Sequence, residues 1–294
     1  MLSFSSSLSS TSEAFVIFVD EKYNFKDKNG ILSKELTQKI NSFIKTLKTK
    51  NKEDEIHSFD LANNKACFII KIKNKKEKSY FEEIGGTFFT FIKKFKNINS
   101  LDIYADSLNY DKEILSKLFS EFIFGFNLKS YTFNKYKTLV EKKINNKVNY
   151  KIISSYKKNI ESNYKYYDSI KEGVFLTRDL VSEPPNVLSP AGYVKEIKKL
   201  SKFGLKVKIY NEKQLKKLGL KALLGVGQGS ANETYLATIE WSGKKQSKQK
   251  PLAFVGKGVC FDTGGISLKP ARFMEEIPAA LTMPVTSILF LFRI

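Results

Sequence analysis

"SEPPNVLSPAGYVKEIKKLSKFGLKVKIY", Ser182 to Tyr210, carries a helix stop, a helix start, a second stop and a strand in quick succession. Glu183 precedes Pro184, whose ring disfavours helical backbone in the residue before it, so a preceding helix should end near Ser182. Ser189 then stands as an N-cap with Pro190 at the first helical position. Val194, Ile197 and Leu200 fall on one side of the helix that follows, and Gly204 is placed to accept the left-handed turn that stops it. "KVKIY" (Lys206 to Tyr210) comes next as a β-rich segment. A helix handing over to a strand in this way is the unit of an α/β fold.

The same alternation extends outward. Downstream lie a short helix around Leu215 and Leu218, then "ALLGVG", "YLATIEW" and "LAFVGKGVCF". Upstream, "AFVIFVD" (Ala14 to Asp20), "ACFIIKIK" (Ala66 to Lys73) and "LDIYAD" (Leu101 to Asp106) are short, apolar and bounded by polar residues, as buried strands are. Helical stripes separate them: Leu36, Ile40, Phe43 and Leu47 behind a possible cap at Ser33; Phe81, Ile84, Phe88, Phe91 and Phe95; and Ile114, Leu118 and Phe122. These stripes read as core. From Tyr136 to Lys171 the pattern weakens into lysine, asparagine and tyrosine before a helix approaches "GVFLTRDLV". The expected architecture is α/β in two domains, each a mostly parallel or mixed sheet flanked by helices. Residues 1–150 form the N-terminal domain, 151–182 a linking helical region and 183–294 a partial second domain.

The formal net charge of +20 raises the question of a nucleic-acid partner. Only Arg178, Arg272 and Arg293 are arginines, however, and the lysines are scattered among asparagines, as in "KTKNKEDE". Base reading and bidentate phosphate clamping favour arginine's planar fork, so the lysines read as a solvated surface. Cys67 and Cys260 each sit in an apolar run, which suits buried thiols in a reducing compartment. The opening residues lack a basic start, and the run from Ala14 to Val19 is short for a secretion signal. The tail run from Pro284 to Phe292 falls short of the ~20 residues that span a bilayer, so a soluble cytoplasmic protein without a membrane partner is expected.

The single histidine, His57, lies in the polar stretch "EDEIHSFD" and reads as a surface residue. One imidazole cannot supply a two-histidine metal site. "GVGQGS" (Gly225 to Ser230) spaces its glycines G-x-G-x-G, which is not a dinucleotide fingerprint, and "GKGVCFDTGG" is not a P-loop. "GKGVCFDTGGISLKP" nevertheless spaces its polar residues suggestively. Lys257 closes an apolar strand, Asp262 follows in a tight glycine-rich turn, and Lys269 lies farther on. The three fit either an ion pair or a hard-metal ligand set in which a lysine gives up its proton to present a lone pair.

"TRDLVSEPPNVLSP", "LGLKALLGVGQGSANETYLATIEW" and "VGKGVCFDTGGISLKPARFMEE" resemble successive landmarks of the leucyl (cytosol) aminopeptidase family, dinuclear-metal enzymes that remove N-terminal residues from peptides. The resemblance covers about Glu172 to Glu276, and "EILSKLFSEFIFGFNLKSYTFNKYK" is similar to the last part of that family's N-terminal domain. It implies two divalent ions, Mn²⁺ or Zn²⁺, with Lys257 ligating the exchangeable metal and Asp262 bridging both. Lys269 would polarise the scissile carbonyl. It also implies a peptide substrate and a homo-hexamer.

After "MEE" the family continues with further aspartate and glutamate ligands, whereas this sequence reads "IPAALTMPVTSILFLFRI", without an acidic residue. Two ions want roughly four to six donors each, which one lysine and one aspartate do not supply. The expectation is therefore a truncated or frameshifted family member whose catalytic domain is incomplete and which is inactive alone. Two other readings stand beside it: a non-catalytic DNA- or polyanion-binding protein, and a fragment that completes its site with a separate C-terminal piece.

Overall fold

A computed structural model describes residues 1–27, 29–49, 54–61, 65–73, 79–95, 97–138, 148–241, 252–260, 264 and 266–270, together with the backbone of Ile288–Arg293. Contacts gather into two compact units, Met1–Phe175 and Leu176–Ile294.

The first unit is built on six strands: β1 (Leu2–Ser5), β2 (Ala14–Val19), β3 (Ile56–Asp60), β4 (Ala66–Lys71), β5 (Ser100–Tyr104) and β6 (Asn149–Ile153). They lie in the order β1-β6-β5-β2-β4-β3, parallel throughout except where β3 pairs antiparallel with β4. Every residue of β2 is buried, as expected where helices cover both faces of a parallel sheet and no polar alternation is needed. On one face Val16, Phe18, Phe68 and Ile103 pack against α2 (Tyr80–Ile92) and α3 (Lys112–Ser130). On the other, Phe15, Ile17, Val19 and Ile69 meet Ile40, Ile44 and Leu47 of α1 (Lys34–Thr49). The stripe of α1 runs behind Ser33, whose Oγ accepts from the Leu36 amide at 3.1 Å, the cap its sequence suggested.

Two glycines let α2 and α3 touch backbone to backbone. A Cβ on Gly85 would stand 2.1 Å from the Phe122 carbonyl oxygen, and one on Gly125 would stand 1.8 Å from that of Glu82. The close approach brings Phe18 edge-on to Phe119 and Phe122, with ring centroids 4.8 and 5.3 Å apart. Buried Asp106 ties the upper ends of the strands together. It accepts from Asn29 Nδ2 at 2.8 Å, from the Ser155 amide at 2.7 Å and hydroxyl at 2.8 Å, and from the Ser154 hydroxyl.

His57 corrects its sequence reading. It is 6 % exposed, on β3, with Nε2 3.4 Å from the Tyr23 hydroxyl. The polar stretch around it hid a strand whose register sets His57 against Ile69, and the Tyr23 hydroxyl supplies the polar partner that an imidazole needs under cover.

α4 (Lys157–Ser182) begins in the first unit, with Ile160 and Tyr164 in its core, and ends in the second at Ser182, as Pro184 dictates. The Ser189 Oγ caps α5 (Pro190–Lys199) by accepting from the Gly192 amide at 3.2 Å. Gly204, at φ 82°, takes the left-handed turn before β7 (Lys206–Tyr210). After α6 (Glu212–Lys217) and α7 (Lys221–Gly227) come β8 (Tyr235–Glu240), β9 (Ala253–Lys257) and β10 (Ile288–Arg293). The sheet order is β7-β8-β10-β9, with β8 and β10 parallel and both outer pairings antiparallel. The apolar tail supplies an inner strand: Leu289 stands opposite both Leu236 and Lys257. Val194 and Ile197 of α5 cover Ala237 and Ile239 of β8, while Phe254 and Val255 on edge strand β9 remain 51 % and 66 % exposed.

Candidate active site

Lys257 is the last residue of β9, and its side chain is exposed. The chain then passes buried Cys260 and reaches a turn at Gly264, where φ is 89°. A Cβ on Gly264 would stand 2.1 Å from the Ser267 carbonyl oxygen and 3.2 Å from Lys269 Cγ, so only glycine permits this fold-back. The tight turn expected in this glycine-rich stretch is present at Gly264, where the loop folds back on itself. The fold-back places half-buried Lys269 against the turn, while Ile266, Ser267 and Leu268 face outward. Asp262, the residue expected to bridge the metals, lies outside the described residues.

Among the described residues no group of three or more His, Cys, Asp or Glu side chains could hold a metal ion. The acids nearest in sequence to β8 are engaged otherwise. Glu240 faces Lys206 Nζ at 3.4 Å, and Glu233 accepts from the Tyr235 hydroxyl at 2.8 Å. Burial, then that bond and the Glu233 charge, push the Tyr235 phenol up to about 12. The described residues therefore do not fit a metal pair: two lysines without a carboxylate cluster are not a donor set for hard cations.

A cavity of about 340 Å³ lies on the helical side of this unit's sheet, lined by Leu176, Leu180, Tyr193, Ile197, Leu200 and Ile239 among others. Neither Lys257 nor Lys269 lines it. Its walls are core-type side chains, and burial, then the adjacent Cys260, raises the Tyr193 phenol. The glycines of "GVGQGS" do not form a phosphate cradle either. Gly225 lies within α7, and added Cβ atoms at Gly225 and Gly229 would meet open space.

Residues 175–282 match the model of the cytosol aminopeptidase family, catalytic domain. A probable cytosol aminopeptidase of Agrobacterium fabrum is 43 % identical over 186 residues, covering 62 % of this chain and 37 % of the relative. One of Phytoplasma mali is 37 % identical over 220 residues, 72 % of this chain and 43 % of its own length. The chain thus spans well under half the length of the curated relatives it matches. Among solved structures, a tomato leucine aminopeptidase mutant superimposes with a TM-score of 0.73 at 18 % identity, over all of this chain and 62 % of its own. The bottromycin maturation enzyme BotP, in complex with Mn, gives 0.60 at 15 % identity, over 96 % of this chain and 59 % of its own. These structures show a shared fold.

Proposed function

We propose that the chain is a member of the cytosol aminopeptidase family, whose catalytic-domain model matches residues 175–282, and that it derives from a cytoplasmic enzyme releasing N-terminal, leucine-like residues from peptides. What carries the reading is the Lys257-to-Lys269 segment, which sits at a strand end inside the matched region with its tight Gly264 turn in place.

The family is metal-dependent. Lys257 and Asp262 are the chain's own candidate donors toward two divalent ions, Mn²⁺ or Zn²⁺. Lys269 is the candidate catalytic residue, whose ammonium would draw electron density from the scissile carbonyl oxygen. Beyond Glu276 the sequence has no acidic residue, so the donors for two ions fall short, and the 294-residue polypeptide does not hydrolyse peptides alone. A leucine chromogenic substrate with added Mn²⁺ tests this: the purified chain should give only background release. Turnover that Asp262→Ala abolishes would overturn it.

A second reading rests on the net charge of +20, which suits a DNA or other polyanion partner, alone or in a hexameric assembly. Retention on DNA that falls steeply with salt and exceeds retention on heparin supports it, whereas equal retention on both reduces it to generic charge.

A further inference from the structure

Parallel neighbours β2 and β5 send the chain to opposite faces of the first sheet. β2 leads to α1, packed with Ile17 and Val19, and β5 leads to α3, packed with Phe18 and Ile103. Where adjacent parallel strands diverge in this way, a crevice opens beyond their C-terminal ends, and ligands of open α/β sheets collect there. A cavity of about 490 Å³ occupies that place, its walls drawn from the residues that follow β2, β4 and β5, within the ~300–1,000 Å³ range of small-molecule pockets.

The walls are of mixed charge. Asp20 and Glu21 come from the end of β2, Lys22 from the same turn, and Lys73 from the end of β4. Asp20 is fixed in place. Its carboxylate accepts from the Lys22 amide at 2.9 Å and from the Asn24 amide and carboxamide at 2.7 and 3.0 Å. The turn it holds passes through Tyr23 at φ 61°, a left-handed conformation unusual for a residue other than glycine. Across the cavity stands Tyr110, whose phenol burial and then Asp20's charge push upward. Lys73 Nζ is 2.7 Å from Glu55 Oε1 and stays 42 % exposed. Ile72 and Leu108 add apolar wall.

A simple anion would meet two carboxylates here, and a simple cation two lysines. A zwitterion satisfies both sets. We infer that this crevice binds a free α-amino acid, its ammonium toward Asp20 and Glu21, its carboxylate toward Lys22 and Lys73, and an apolar side chain on Ile72 and Leu108. Choosing an amino acid over other zwitterions rests on the peptidase reading, since free amino acids are what such an enzyme releases. The site then takes the product of that reaction and belongs to the first unit, whereas the Lys257–Lys269 segment belongs to the second.

Titration calorimetry of L-leucine into the full, metal-free chain tests it, with N-acetyl-leucine lacking the ammonium and leucinamide lacking the carboxylate as comparators. Leucine should bind, and each blocked analogue should bind at least about tenfold more weakly, a loss of ~1.4 kcal/mol. Lys22→Glu should weaken leucine by a similar factor with an unchanged circular dichroism spectrum. Independently of any variant, leucine should shift the amide resonances of Glu21, Lys22 and Tyr110. Absence of leucine binding, equal binding of the blocked analogues, or shifts elsewhere only would overturn the site. Because the readout needs neither metal nor turnover, an inactive chain that binds leucine leaves the site standing, and an active chain that ignores leucine removes the site alone.

Discussion

Gly125→Ala should destabilise the first unit through a single methyl group. The added Cβ would stand 1.8 Å from the Glu82 carbonyl oxygen, and an ordinary carbon-to-oxygen contact needs about 3.3 Å, so α2 and α3 must separate by roughly 1.5 Å. Both obstructing groups are main chain and cannot swing aside. Separation loosens the ring contacts along the seam, including tilted Phe88 with Phe122 and edge-on Phe89 with Phe126, now 6.1 and 5.1 Å apart between centroids. Overpacking of this kind costs about 1–3 kcal/mol, and the geometry argues for the upper end. The better helix propensity of alanine returns about 0.5–1 kcal/mol, leaving a net loss of ~2 kcal/mol. For a unit of this size that is a fall of roughly 4–8 °C in melting temperature. Thermal unfolding followed by circular dichroism measures it, and hydrogen exchange of the α2 and α3 amides localises it to this seam. Gly86→Ala is the matched control. Its Cβ would lie 3.6 Å from the Gly125 carbonyl oxygen, an ordinary contact, so this variant should be neutral or gain up to ~1 kcal/mol. A Gly125→Ala protein as stable as the Gly86→Ala control would refute the reasoning.

Burial raises the carboxyls of both Glu82 and Glu121, and each charge raises or is raised by an acidic neighbour. A folded-state value above the unfolded one means that the native state holds more protons, so stability declines as pH rises through the folded value. Glu121→Gln should therefore raise the melting temperature at pH 7 relative to the parent, with the gap closing below about pH 4; a constant gap across that range would count against the assignment. Cys67 is 0 % and Cys260 3 % exposed, and burial pushes the Cys67 thiol far up. Neither thiol should react with a disulfide reagent in the native chain and both should react in denaturant, with rapid native labelling as the contrary result.

The helix ends were the most legible part of this fold, because they depend on local backbone chemistry. Pro184, Ser189 and Gly204 each determine a stop or start within a residue or two, and the structure places all of them accordingly. Strands β2, β4 and β5 were equally readable, since burial on both faces forces an unbroken apolar run. Strands β3 and β6 were not read as strands. Ile56–Asp60 and Asn149–Ile153 mix polar with apolar residues because their cover is uneven: β3 is an edge strand paired with β4 alone, and β6 pairs with β5 and β1, which lie far off in sequence. Ile288–Arg293 was visible as an apolar run, but its place between β8 and β9 is set only by long-range pairing. In the candidate active site, the motif spacing marked Lys257 and Lys269, and the structure adds the Gly264 turn that positions the second. The crevice was out of reach of sequence reading, since Asp20, Lys73 and Tyr110 meet only through the strand order.

Lys257 and Asp262 are the metal donors proposed for this polypeptide, and they are too few for two ions. Equilibrium dialysis of the purified chain against Mn²⁺ and against Zn²⁺ tests it most directly. No stoichiometric uptake of two ions per chain is expected. Two ions held tightly by each chain, both lost in Asp262→Ala, would contradict it.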